Sequence, residues 1–357
     1  MEYQRLGDYI REVNVRNRDL KVTKLVGLTI DKAFIPSVAN VIGTDLSNYK
    51  VIRKEQFACS LMPVSRDGKM PVAMFEEDEA IMSPAYPMFE VIDKTVLMPQ
   101  YLMMWFSRSE FDREASYYAV GGVRGSLTWE DFCNMCLPIP SITRQREIVE
   151  EYETLSRRIR LNEQMIEKLE ATAQALYHKM FVDGIDKENL PDGWRVGTIG
   201  DVAEVSSGKT CLDKVDKKEP PYIYPVAGAS GIIGYSSTYN YDEKVMTTGR
   251  VGTLGVVNKY KNRTYMADNV LIIKSQYYEY CYQILLQLDY NEIIKGGVQS
   301  LITQTDLKAV EIIIPDANTL KEYEDTVLPV FKMIEIKQQE NSKLTELQSL
   351  LLAMMGQ

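Results

Sequence analysis

TRQREIVEEYETLSRRIRLNEQMIEKLEATAQALYHKMF, Thr143 to Phe181, contains neither glycine nor proline and reads as one continuous helix near the middle of the chain. Its apolar residues, Ile148, Tyr152, Leu155, Ile159, Ile166, Leu169, Ala173, Leu176 and Met180, step by three and four with one missing beat at Asn162, which is the seam of a coiled coil. At ~1.5 Å of rise per residue such a helix runs roughly 57 Å, longer than a helix that docks on one small core, so it requires a partner of similar length. A shift of 175 positions supplies one by laying Thr319 to Met355 over it without a gap.

The match extends upstream of the helix. GGVRGSLTWEDFCNMCLPIP (Gly121 to Pro140) lies over GGVQSLITQTDLKAVEIIIP (Gly296 to Pro315), with Gly121, Gly122, Val123, Thr128, Asp131, Ile139 and Pro140 repeated. RLGDYI (Arg5 to Ile10) answers TIGDVA (Thr198 to Ala203) at a shift of 193. The chain is therefore a duplication, predicted as a domain at Met1–Ile142, a long helix at Thr143–Phe181, a linker at Val182–Trp194, a second domain at Arg195–Asn318 and a second long helix at Thr319–Gln357.

Within the first domain, short strand-like runs (KLVGLTI, AIMSPAYPMFEVI) flank one helical stretch, Tyr101 to Ser116. The second offers strands at Lys244–Thr248, Leu254–Val257 and Val270–Ile273 and a helix at Tyr277–Leu288, so the expected class is α+β twice over. The second long helix carries Tyr323, Val327, Val330, Ile334, Leu344 and Leu351 on its seam, interrupted by Lys337, Asn341 and Gln348. Antiparallel pairing at the midpoints sets Asn162 against Lys337, a polar layer of the kind that fixes register.

Composition bounds the function. The 357 residues, 45% hydrophobic, suffice for two or three cores, and five cysteines form no even disulfide framework. No run approaches ~18 apolar residues and the N-terminus lacks a signal-peptide pattern, so a cytoplasmic protein is expected. A net charge of −9 disfavours nucleic-acid binding by the chain as a whole, but Arg195 to Pro315 holds 13 Lys and Arg against 13 Asp and Glu, leaving local basic loops in a neutral domain.

The order of these motifs, an N-terminal LGD, SPAYPMF, GGVRG followed by LPIP and a long helix, LPDGW before the second domain, and then the same order again, resembles the specificity subunits of type I restriction-modification systems over essentially the whole chain. The resemblance implies two target recognition domains, each reading half of a bipartite double-stranded DNA target. They are separated by two long helices in an antiparallel coiled coil that docks two methyltransferase (modification) subunits and, in the restriction complex, two motor-nuclease subunits. It implies no cofactor in this chain and places S-adenosylmethionine, ATP and Mg in the partners. At the helix entries, where the family often shows Glu-Gln, this chain has Arg144-Gln145 and Leu320-Lys321.

Two rivals were weighed against that reading: a self-contained DNA adenine methyltransferase and a helical scaffold with no role on DNA. EPPY (Glu219 to Tyr222) approaches the Asn/Asp-Pro-Pro-Tyr of amino-methyltransferases, but glutamate sets the carboxylate one methylene too far, and GRVGTLG (Gly249 to Gly255) has the wrong spacing and position for a methyl-donor turn. Asp316 with Glu335 and Lys337 spells a nuclease motif whose lysine lies inside a helix, some twenty residues away. Cys133 and Cys136 lack a second ligand pair for zinc, and the single histidine, His178, sits on the helix. No catalytic or metal residues are assigned.

DNA reading calls for Arg and Lys in polar or glycine-marked loops, since Arg bridges guanine O6 and N7 while Lys mainly meets phosphate. The candidates are Arg66, Lys69 and Arg124 in the first domain and Lys209, Arg250, Lys259, Lys261 and Arg263 in the second. Gln299, in the duplicated place of Arg124, is a candidate for adenine. Tyr86 and Tyr235, beside proline and glycine, are candidates for stacking, with core packing as the alternative.

Overall fold

The computed structural model describes residues 2–37, 43–62, 64–120, 126–250, 253–293 and 301–356, so Arg124 and Gln299 lie outside the described residues. The helix predicted from Thr143 spans Ile142–Phe181, 40 residues, and its duplicate spans Ala317–Met354, 38 residues. Contacts divide the chain into two compact units, Met1–Asn162 with Gln339–Gln357, and Glu163–Gln338, so each unit holds a globular α+β part and a share of both long helices.

The duplication is visible strand by strand. In the first unit a four-stranded antiparallel sheet runs, in spatial order, Ile10–Glu12, Met88–Val91, Phe57–Cys59 and Val72–Met74. In the second the order is Glu204–Ser207, Val270–Lys274, Val245–Gly249 and Val257–Tyr260. A two-stranded ribbon closes each domain by pairing its entry with the strand that leads into a long helix: Tyr3–Arg5 with Cys136–Pro138, and Arg195–Thr198 with Glu311–Ile314.

The repeated residues have local reasons. Thr128 and Asp131 form a capping box at the helix Trp129–Asn134, and Thr303 and Asp306 form the same box at Gln304–Lys308, 175 positions on. The glycine of each Gly-Asp repeat lets the entry turn approach that helix. A Cβ on Gly7 would lie 2.8 Å from Cys133 Cβ, and one on Gly200 3.3 Å from Lys308 Cβ, the duplicated position.

Two expectations shift for physical reasons. The helical stretch Tyr101–Ser116 is two helices, Pro99–Phe106 and Ser109–Val120, with Ser107 as the C-cap of the first, its N–H shared between the Met103 and Met104 carbonyls. The strand placed at Leu254–Val257 begins only at Val257, since Gly255 turns the chain at φ 80°. The second long helix also contains Pro329, on an exposed position where a missing N–H is tolerated.

Antiparallel pairing of the helices is explicit in the first unit, where Gln348 donates to Ser156 (2.7 Å) and Arg158 to Glu340 (2.6 Å). The polar layer exists with a different partner. Asn162, 2% exposed, donates its amide to Asn341 Oδ1 at 2.8 Å, one turn beyond Lys337, which is itself half-buried. The i and i+4 positions of a helix share a face, so the seam shifts by one turn without changing its side.

The helix entries solve one problem in two ways. Gln145, fully buried, accepts from the Met98 N–H (2.8 Å) at the start of Pro99–Phe106 and donates to the carbonyls of Val96 (2.7 Å) and Pro140 (2.9 Å). Its counterpart Leu320 packs in the second core, and Glu324, one turn on, accepts from the Glu279 and Tyr280 N–H groups (2.8 and 2.9 Å) at the start of Tyr278–Gln287. In both copies the long helix satisfies orphan N–H groups of a helix in the globular part. Gln145→Leu should therefore destabilise the protein by about 2 kcal/mol or more, because it strands a buried N–H and two carbonyls. Urea unfolding measures this, and an unchanged midpoint would show that the latch carries no stability.

Candidate nucleic-acid interface

The four-stranded sheet of the second unit has two chemically different ends. At the end where Val270–Lys274 begins, Ser207 faces Leu271 and Gly249 faces Val270 in register. The segments leaving those strands are drawn to the same place: the Lys209 N–H donates to the Met266 carbonyl (3.0 Å), the Arg250 N–H to the Asn269 carbonyl (2.9 Å) and the Ile302 N–H to the Arg250 carbonyl (3.1 Å). Gln304 Nε2 closes the group with a 2.8 Å bond to Ser207 Oγ. Lys209 is exposed, whereas Arg250 is half-buried with its Nε shut from solvent and without a hydrogen-bond partner.

Lys259, Lys261 and Arg263 lie at the opposite end, since Tyr260 pairs with Val245 where that strand starts. Lys259 turns inward: its ammonium meets the buried Glu279 carboxylate and sits 3.7 Å and 3.6 Å from the ring centroids of Tyr282 and Phe331. Lys261 pairs with Glu335 of the second long helix at 2.5 Å, and Arg263 with Asp242 at 3.0 Å. The five basic candidates of this domain therefore separate into Lys209 and Arg250 at one end and the KYKNR group at the other.

In the first unit the matching end is marked by the Val13 N–H donating to the Met88 carbonyl (2.8 Å) and the Cys59 N–H to the Pro87 carbonyl (3.0 Å). The connection leaving Phe57–Cys59 at that end carries Arg66 and Lys69. Arg66 forks onto Asp67 (2.7 and 2.9 Å) and Lys69 reaches Asp31 (3.2 Å), both with at least half of the side chain exposed. Exposed ion pairs of this kind are worth ~0–1 kcal/mol, so exchanging them for phosphates costs little.

The tyrosines are less available. Tyr86 packs against the small core of Val13, Val26 and Ile52, and its carbonyl accepts from Lys50 Nζ at 2.8 Å. Tyr235 is half-buried in the strand Gly231–Ser236, with both backbone groups bonded to Val215. Glu219–Tyr222 is a tight turn closed by a Glu219 N–H to Tyr222 carbonyl bond (3.2 Å) around a cis Pro220-Pro221 peptide. Asp316 caps the second long helix by accepting from the Asn318 and Thr319 N–H groups.

Residues 191–346 match the model of the type I restriction modification DNA specificity domain. The chain is 21% identical over 299 residues to the MjaIX specificity subunit of Methanocaldococcus jannaschii, covering 73% of this chain and 69% of the relative. It is 24% identical over 135 residues to the EcoprrI specificity subunit of Escherichia coli, a match spanning 36% of this chain but only 33% of that protein. The crystal structure of the type I S subunit from M. genitalium superposes with a TM-score of 0.62 at 13% identity, covering 100% of this chain and 96% of that one. The second half of this chain is thus similar to the DNA specificity domain of type I restriction-modification systems, and its fold to that of a type I S subunit.

A surface lysine is a natural phosphate contact, and Lys259 has to be withdrawn from that role. Only 20% of its side chain is exposed, and it is held by one carboxylate and two aromatic faces. Asn269 and Gln304 were missed, because neither charge nor a motif marks them and only the register of the sheet brings them beside Arg250. Among the described residues no helix is long and apolar enough to cross a membrane, and no group of His, Cys, Asp and Glu could hold a metal ion.

Burial pulls the Lys259 ammonium down from 10.5 to about 8, against the opposing pull of Glu279. Between those values the unfolded chain binds a proton that the native protein does not. This group therefore makes the protein more stable as pH rises from about 8 toward 10.5, and its contribution is flat below that window. Lys259→Met should abolish that part of the rise, read as the difference between wild-type and variant unfolding free energies across pH 7.5 to 10. Parallel curves for the two proteins would show that Lys259 does not titrate there.

Proposed function

We propose that this chain is a specificity subunit of a type I restriction-modification system and reads a bipartite double-stranded DNA target, with one recognition domain (residues 1–142 and 195–318) per half-site. The observation that carries the reading is the repeated sheet. In each unit the same end of the same four strands collects basic side chains that are exposed or lack a fold partner, Arg66 and Lys69 in one and Lys209 and Arg250 in the other. The long helices supply the docking surface for two modification subunits and, where a restriction complex forms, for two motor-nuclease subunits. S-adenosylmethionine, ATP and Mg belong to those partners, the chain itself catalyses nothing, and the assembly works in the cytoplasm.

Independent half-site reading has a direct test. Replacing Arg195–Pro315 with the equivalent domain of a relative should change one half of the methylated motif and leave the other half and the modified base in it intact, as read by methylome sequencing. A change in both halves would overturn the assignment of one domain to each half.

Electrostatics provides a second test. Lys209→Ala should flatten the slope of log K against log salt by about one unit in the assembled complex, as expected for one lost phosphate contact, whereas Lys259→Met should leave the slope unchanged. The opposite pattern would place the other end of the sheet on the DNA.

A further inference from the structure

Because both units build the same sheet, each copy shows what the fold itself requires at a given position of the other. At the end described above, the Ile302 N–H bond to the Arg250 carbonyl repeats, 175 positions on, the Leu127 N–H bond to the Leu61 carbonyl, so Leu61 stands in the place of Arg250, and the strand registers put Ala85 in the place of Asn269. The first copy makes this corner with a leucine packed against its core and an alanine. Nearby, Trp129 stacks against Phe89 and Phe132 in the first copy, and 175 positions on the second copy has Gln304, bonded to Ser207. The fold thus forms this corner without polar side chains.

In the second copy the polar groups carry a penalty. Arg250 Nε and Asn269 Oδ1 are both shut from solvent with no hydrogen-bond partner, one an open donor and the other an open acceptor. Their carrier residues are joined through the backbone at 2.9 Å, at the ends of adjacent strands, beside the exposed Lys209. Unpaired groups kept at a cost, where the sister domain has an apolar solution, are groups reserved for a ligand that supplies the missing acceptor and donor.

The structure assigns Arg250 and Asn269 as base-reading residues of the second recognition domain, with Arg250 donating to O6 and N7 of a guanine and Asn269 exchanging hydrogen bonds with N6 and N7 of a neighbouring adenine. The assignment rests on the DNA-reading function proposed above and adds the bases. Both pairings are bidentate in the major groove, where the donor and acceptor patterns of guanine and adenine differ. Arg is suited to the first because its planar fork presents two parallel N–H donors. Lys209, a flexible point charge on the exposed side, fits the flanking phosphate.

The test uses the full chain assembled with its modification subunits and a random duplex library, followed by competition between single-base variants of the selected site. Arg250→Ala should relax discrimination at one guanine of the second half-site by about 5- to 150-fold, and Asn269→Ala should do the same at an adjacent adenine, with the first half-site unchanged. Asn269→Asp, which keeps the shape and offers only acceptors, should move the preference at that position toward cytosine, and its thermal melt separates lost recognition from lost folding. Undiminished discrimination in folded variants would overturn the assignment while leaving the function standing. So would a uniform loss of affinity with a salt slope lowered by about one unit, the mark of a phosphate contact. A wild-type complex that selects no sequence would overturn the function and the assignment together.

Discussion

The structure depends on the need of two long amphipathic helices to bury their apolar seams. A 40-residue helix with one apolar stripe is not stable alone in water, and each globular part lacks a wall of its own core. The two deficits cancel. Ile148, Val149 and Met355 complete the core around Phe57, Phe89 and Phe106, while Tyr177, Phe181, Leu320, Tyr323 and Val327 complete the core around Tyr280 and Ile284. In the second unit Phe181 meets Tyr280 at 5.0 Å and Tyr323 at 5.1 Å, so both helices and the recognition domain share one aromatic cluster. Globular part and long helices are therefore not separable folding units, which is why the compact units cut across both helices.

Duplication gives the molecule an internal control. Positions that agree between the copies, such as the Thr-Asp capping boxes and the glycines of the entry turns, answer to geometry that both domains need. Positions that differ fall into two kinds. Gln145 against Leu320 with Glu324 is one structural task done twice by different chemistry. Leu61 and Ala85 against Arg250 and Asn269 is a place where one copy accepts unsatisfied polar groups that the other avoids. The second kind points to function, because the fold offers no compensation for it.

Electrostatics in this chain is a matter of placement more than of count. The overall charge is −9, yet Lys209 and Arg250 stand at one end of a sheet whose other end consumes its cations internally. Lys259 illustrates the difference: in the sequence it belongs to the most basic cluster of the second domain, and in the fold it neutralises Glu279 among aromatic rings. A basic loop contributes to a binding surface only where the fold has not already used its charge.

Periodicity and self-similarity by themselves determined the architecture: the heptad seam of Thr143–Phe181 specified a long helix, and the shift of 175 specified its partner and the repeat of the domains, since these patterns follow from the 3.6-residue turn and leave no competing solution. Local chemistry was equally legible where the interaction spans only a few residues, as in the capping boxes. Partnerships across the chain were decided by tertiary structure. The helix register set Asn162 on Asn341 instead of Lys337, one expected helix became two at Ser107, and the sheet sent Lys259 inward while bringing Arg250 beside Asn269. One turn of helix or one residue of strand register leaves the sequence pattern almost unchanged but exchanges every long-range neighbour, so which polar groups meet each other and which remain open for a ligand is fixed only when the elements pack.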